Sequence, residues 1–214
     1  MAVLKTGAIY VPVDLCYPNE RIRYILNDTQ TAIILTNEEH CTRISEILAD
    51  GLPMSITDND DVQKIPSVFA IDKQKFYDQI QYEYGFINNL SSTIDYTDIA
   101  YIIYTSGTTG VPKGIIIDHG TIIDKLNYLI INHKIDSSFN ILAKTPCVFD
   151  PSLREIFLSL LSGATLVIAD EEVINDPTKL LLLCISAKIH LVVFVPSQLR
   201  LFICCAAIGD DFLN

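Results

Sequence analysis

The sequence has no uncharged apolar run of the ~18 residues that a membrane-spanning helix needs. Its most apolar region, from Leu180 to Ala207, is interrupted by Lys188, His190, Pro196 and Arg200, and reads as buried helix, strand and helix. Nor is a secretory leader expected from MAVLKTGAIYVPVD, which carries Lys5 but whose apolar run Pro12 and Asp14 interrupt early, so no export is implied and a cytoplasmic setting is expected. Basic residues are scarce, 15 against 26 acidic ones for a net charge of −11, and such a surface repels a nucleic-acid backbone. No CxxC occurs, and no histidine stands at zinc-ligand spacing from Cys16, Cys41, Cys147, Cys184, Cys204 or Cys205. These six read as small apolar core residues of a reduced compartment. Internal repeats and low-complexity tracts are absent as well.

What is present is the composition of a globular domain, 50% hydrophobic over 214 residues. Short apolar runs alternate with segments of helical period, the pattern of mainly parallel sheets covered by helices, hence an α/β fold. AIYVPVD (8–14) is expected as a strand. PNERIRYILND (18–28) follows as a helix with Pro18 in its first turn and Ile22, Ile25 and Leu26 on one face, and TAIILT (31–36) closes a βαβ unit. Cys41, Ile44, Ile47 and Leu48 fall at helical spacing, and SVFAI (67–71) reads as a strand. Residues 73–97, rich in Tyr, Asn, Gln and Ser, read as irregular. The apolar runs 98–105 and 113–119 read as strands, followed by a helix at 120–132, and alternating strands and helices continue to a strand at 190–195. The acidic run DNDD (58–61) lacks calcium-loop spacing and reads as a solvated loop. The chain opens in the end of a helix and stops without a closing element, which leads us to expect a fragment.

Between the two central strands lies YTSGTTGVPKG (104–114), with four hydroxyls, three glycines and a lysine in eleven positions. Backbone N–H groups in a glycine-rich turn make an anion-binding concavity, and the hydroxyls of Thr105, Ser106, Thr108 and Thr109 add donors suited to phosphate oxygens. Lys113 adds a point charge. A P-loop would have Ser or Thr after the lysine and open a helix; here Gly114 follows and a strand comes next, so that reading fails. A plain hairpin turn would need only two or three such residues.

At these residues the sequence resembles the acyl-adenylating (AMP-dependent synthetase and ligase) superfamily, whose signature phosphate loop YTSGTTGVPKG looks like. LKTGAIYVPVDLCYPNERIRYILNDT and FDPSLREIFLSLLSGATLVIA further resemble the adenylation domains of nonribosomal peptide synthetases. The resemblance implies an incomplete N-terminal lobe: residues 1–90 a first α/β portion, 91–97 a linker, and 98–214 the portion with phosphate loop and substrate pocket, the lid being absent. It implies a two-step reaction, in which an amino acid and ATP give an aminoacyl-adenylate and pyrophosphate and the acyl group then passes to a phosphopantetheine thiol, with Mg2+ assisting. Thr105, Ser106, Gly107, Thr108, Thr109, Gly110, Lys113 and Gly114 would hold the phosphates. Partners in a full-length synthetase would be carrier-protein and condensation domains.

The same resemblance makes Asp150 the ligand of the substrate α-ammonium, with Pro151 and Arg154 at side-chain-contacting positions. A carboxylate in a pocket is costly to desolvate unless a cation meets it, so Asp150 separates amino-acid activation from plain-acid activation. Other uses of these residues stay open: Asp150 as an N-cap before Pro151, Ser152 and Glu155 as a capping box, or Arg154 paired with Asp150 four residues back. His119 reads as a helix-start residue. The adenine-binding segment, the ribose-binding aspartate and the catalytic lysine of the family have no match here. A truncated non-catalytic relic and an acyl- or aryl-CoA ligase are therefore the alternatives.

Overall fold

The computed structural model describes residues 2–50, 65–84, 93–107 and 110–209. In chain order the elements are α1 (Ala2–Lys5), α2 (Asn19–Asp28), β1 (Ile33–Thr36), α3 (Glu38–Ala49), β2 (Ser67–Ala70), α4 (Gln74–Tyr84), β3 (Ile99–Thr105), β4 (Lys113–Asp118), α5 (His119–His133), β5 (Asn140–Ala143), α6 (Asp150–Ser162), β6 (Thr165–Ile168), α7 (Glu171–Ile174), α8 (Pro177–Ser186) and α9 (Pro196–Gly209). They fall into two compact units, one of Met1–Ala8, Val13–Ile94 and Tyr104–Ile115, the other of Ile9–Pro12, Asp95–Ile103 and Ile116–Asn214.

In the first unit β1 and β2 run parallel, with Ile33 opposite Ser67 and Thr36 opposite Ala70. A parallel pair needs a crossover, and α3 supplies it. The apolar residues of α2 recur every three or four positions, so Ile22 and Leu26 form one stripe that packs on Ile44 and Ile47 of α3. Asp72 accepts from the Glu38 N–H at 2.8 Å, while Glu38 and Glu39 complement the positive end of the α3 dipole. Arg43 holds the approach to α2 in place, donating to the Leu15 carbonyl, to the Tyr17 carbonyl at 2.6 Å and to Asn19 Oδ1 at 2.9 Å.

In the second unit β5 and β6 are parallel, Asn140 opposite Thr165 and Ala143 opposite Ile168. The crossover is α6, and the core around Leu142, Ala169 and Leu180 gathers Val167, Leu183 and Phe194. Asp118 caps α5 by accepting from the Thr121 N–H at 2.6 Å, which holds its carboxyl below the usual range. β3 and β4 pair antiparallel: the His119 N–H meets the Asp98 carbonyl at one end, and Thr105 faces Lys113 at the other. This hairpin is the antiparallel exception to the expected parallel sheets.

Several expectations are corrected. Of the strand expected at 8–14 only Tyr10 bridges, in parallel, to Tyr101, because Pro12 offers no N–H to a ladder. Likewise only Leu191 of 190–195 bridges, to Ile141. Residues 74–84, expected to be irregular, form α4, where Phe76 packs on Phe69 with ring centroids 6.2 Å apart. Pro18 stands at the N-cap of α2 rather than inside its first turn. None of the six cysteines is buried; Cys16, Cys147 and Cys204 are exposed. The region expected as buried helix, strand and helix is α8, an extended stretch and α9, but α9 exposes Leu199, Leu201 and Ile203. Among the described residues no helix is long and apolar enough to cross a membrane. The acidic run at 58–61 lies outside the described residues.

Candidate functional site

β3 delivers the chain to the glycine-rich loop. Thr105 ends the strand, and Thr105 and Ser106 are exposed. The Gly110 N–H returns to the Gly107 carbonyl at 3.0 Å, closing a turn. A Cβ on Gly107 would stand 2.1 Å from the Val111 carbonyl oxygen, so the backbone packs on itself there in a way only glycine permits. Gly110 has φ +83°, the left-handed region that favours glycine. Lys113 opens β4 exposed to solvent, and among the described residues no carboxylate meets its ammonium; Gly114 follows it, half-buried. Thr108 and Thr109 lie outside the described residues. The described part of the loop thus offers two exposed hydroxyls, a tight turn and a lysine with no competing ion pair.

Asp150 is the first residue of α6. Phe149, extended, holds the N-cap position without a side-chain bond, and Pro151 occupies the first turn, where its missing N–H has no consequence. Asp150 is therefore not the cap. Nor does the capping box form: Ser152 Oγ donates to the Phe149 carbonyl at 2.7 Å, and Glu155 faces elsewhere. Its carboxylate, 1% exposed, accepts from the N–H groups of Lys144 and Thr145, both at 3.1 Å, and from Thr145 Oγ1 at 2.6 Å. Three donors for one buried carboxylate satisfy it without an opposite charge in contact.

Asp150 has a different partner. Tyr101 of β3 donates its phenol to Asp150 Oδ1 at 2.6 Å, and burial, reinforced by that bond, raises the tyrosine's proton affinity well above the ordinary value. The other oxygen, Oδ2, is 3.9 Å from Arg154 Nε, an ion pair at its outer limit and too long for a hydrogen bond. Arg154 Nε is buried and has no hydrogen-bond partner. Asp150 keeps 44% of its side chain exposed, so it is oriented and still reachable.

Arg154 also lines a cavity of about 290 Å³ in the second unit, walled by Leu129 and His133 of α5, Leu158 of α6, and Leu191 and Phe194 of the following extended stretch. Beside it Lys144, buried, donates to Gln198 Oε1 at 2.9 Å and stands 4.7 Å from the Phe194 ring centroid. Burial lowers its pKa from the ordinary lysine value. His119 begins α5, as its place just after the apolar run from Lys113 suggested. Among the described residues no three His, Cys, Asp or Glu side chains gather as a metal site.

Sequence reasoning singled out the loop, Asp150, Pro151 and Arg154. It missed Tyr101, hidden in an apolar strand 49 residues before its partner, and for Glu155 it weighed a capping role as one open alternative, where the structure buries the carboxylate. It found no use for His133.

The family model described as "AMP-binding enzyme" matches residues 1–210. Vanchrobactin synthetase VabF of Vibrio anguillarum is 32% identical over 201 residues, which cover 94% of this chain and 6% of the synthetase. The solved N-terminal domain of FACL13 from Mycobacterium tuberculosis superposes with a TM-score of 0.73 at 20% identity, over 94% of this chain and 46% of that one. The Vibrio cholerae adenylation domain AlmE, solved with glycyl-adenosine-5'-phosphate, gives 0.72 at 20% identity, over 94% and 38%. The two structures share the fold, and this chain spans less than half of either.

Proposed function

The chain belongs to the AMP-binding enzyme family, and on that premise we propose that it is part of an adenylation domain that activates an amino acid for nonribosomal peptide synthesis. The substrate carboxylate attacks the α-phosphorus of ATP, the bond to the β-phosphate oxygen breaks, and aminoacyl-adenylate and pyrophosphate result; a phosphopantetheine thiol of a carrier domain then takes the acyl group and releases AMP. Thr105, Ser106, Thr108, Thr109 and Lys113, with the amides of Gly107, Gly110 and Gly114, bind and orient the β- and γ-phosphates. Catalysis of this kind rests on positioning and charge neutralisation. Magnesium, when bound with the nucleotide, would supply part of that neutralisation.

The observation that carries the amino-acid reading is the Tyr101–Asp150 pair. A reachable carboxylate, fixed by a phenol and released from helix capping, suits an α-ammonium group and would leave a plain acyl or aryl acid facing a stranded charge. Pro151 and Arg154 then contact the substrate side chain.

The test is amino-acid-dependent ATP–pyrophosphate exchange by the full-length protein and its Asp150→Ala variant. Exchange that the substitution abolishes supports the proposal. Exchange with plain carboxylic acids that Asp150→Ala leaves intact would instead make the protein a CoA ligase, and no exchange with any acid would make it a relic.

A further inference from the structure

The cavity beside α6 has a charge pattern that the general reaction does not require. Its wall is largely leucine, valine and phenylalanine, yet Arg154 and His133 also line it. A guanidinium against an apolar wall is unfavourable unless an acceptor meets it. Among the described residues only Asp150 comes near, in an ion pair at its outer limit of 3.9 Å, and Arg154 Nε is buried without a hydrogen-bond partner. Asp150 is itself turned to Tyr101 through its other oxygen. Glu155, one residue along the helix, is taken up by the Lys144 and Thr145 amides and is not in the cavity wall. A third basic group, Lys144, rests on the ring of Phe194, a residue of that wall.

We infer that the substrate is an α-amino acid with an anionic side chain, its ammonium on Asp150 and its side-chain carboxylate in this cavity on Arg154, with His133 as a further donor. The inference deepens the proposed function and rests on it. Asp150 and Arg154 are one helical turn apart on α6, so one face of the helix presents a negative group and then a positive one. A dicarboxylic amino acid carries the complementary pair. A neutral side chain would leave the guanidinium, among the described residues, with only its long contact to Asp150, and a cationic one would be repelled.

The test is a panel of aspartate, glutamate, asparagine, glutamine, leucine and lysine in the pyrophosphate-exchange assay with the full-length protein. We expect aspartate or glutamate to exceed its own amide in kcat/KM by on the order of 100-fold, the usual scale for losing one partner of a desolvated charge pair. In Arg154→Leu the acid-to-amide ratio should fall to near or below one, and Arg154→Lys should restore part of it. Because the ratio is taken within one variant, partial unfolding does not disturb it. Preference for a neutral or basic amino acid, or an acid-to-amide ratio that Arg154→Leu leaves unchanged, overturns this inference while the proposed function stands. Exchange with no amino acid overturns both.

Discussion

Tyr104 donates its phenol to Asp28 Oδ2 at 2.5 Å across 76 residues of sequence, with the edge of Tyr24 against its ring at 6.4 Å. The bond joins the end of α2 to the strand that delivers the glycine-rich loop. A partly buried hydrogen bond to a charged acceptor contributes about 1–2 kcal/mol. Tyr104→Phe is expected to lower stability by that amount in urea denaturation. Asp28→Asn should cost less, and the double variant less than the sum, because the two side chains share one bond.

Glu155 gives a sharper prediction. Glu155→Ala leaves the Lys144 and Thr145 amides and the Thr145 hydroxyl without an acceptor in a buried place, and should cost roughly 3–5 kcal/mol, on the scale of breaking a buried charged network. Glu155→Gln keeps the oxygen that serves the two amides and should cost distinctly less. Thermal denaturation of the two variants, compared with the parent, checks the order.

The two loop glycines differ in what they tolerate. At Gly107 a methyl group collides with the Val111 carbonyl oxygen, so Gly107→Ala should open the turn and remove nucleotide binding. At Gly110 nothing lies within 4 Å of the added atom, and Gly110→Ala should bring only the backbone strain of a positive φ, about 1–2 kcal/mol. Titration of the two variants of the full-length protein with ATP, followed by the loop amide resonances, distinguishes them. Equal loss of binding in both would show that the collision at Gly107 is not what matters.

Tyrosine ionisation provides a pH test. Burial first, and then a neighbouring acidic group, raises the Tyr10 phenol to about 12 and raises those of Tyr101 and Tyr104 in the same sense. Each phenol therefore keeps its proton in the fold at a pH where the unfolded chain has lost it. The stability these groups contribute is complete below their ordinary value of 10.0 and is lost as pH rises through the folded values. Between pH 10 and about 12 the native protein should show less tyrosinate absorbance than the urea-unfolded one, and Tyr101→Phe should shrink that difference.

The fold was legible where packing follows a short period. Ile22, Ile25 and Leu26 mark the buried face of α2 by spacing alone, and all three are buried. The helix α5, expected at 120–132, starts at His119, and its cap bond from the Thr121 N–H to Asp118 is equally local. Long-range pairings were not legible: nothing near Tyr101 points to Asp150, since a phenol in an apolar strand has the same local pattern whatever it meets. Composition misled at 74–84, where tyrosines and glutamines suggested a loop, although Phe76 and Ile80 sit one helical turn apart. It misled again at the cysteines, whose average hydrophobicity says nothing about which face of an element they occupy.

Two of the three bonds by which Glu155 anchors α6 come from main-chain amides, which every residue type at positions 144 and 145 except proline would present; the third comes from the Thr145 hydroxyl. The mounting of the helix is thus indifferent to the tool it carries. Arg154 can be exchanged through ordinary drift for a group of another charge or size while the carboxylate one turn earlier stays aimed. Under the proposed function, a lineage built this way can change its diet one residue at a time without relearning how to grip the amine.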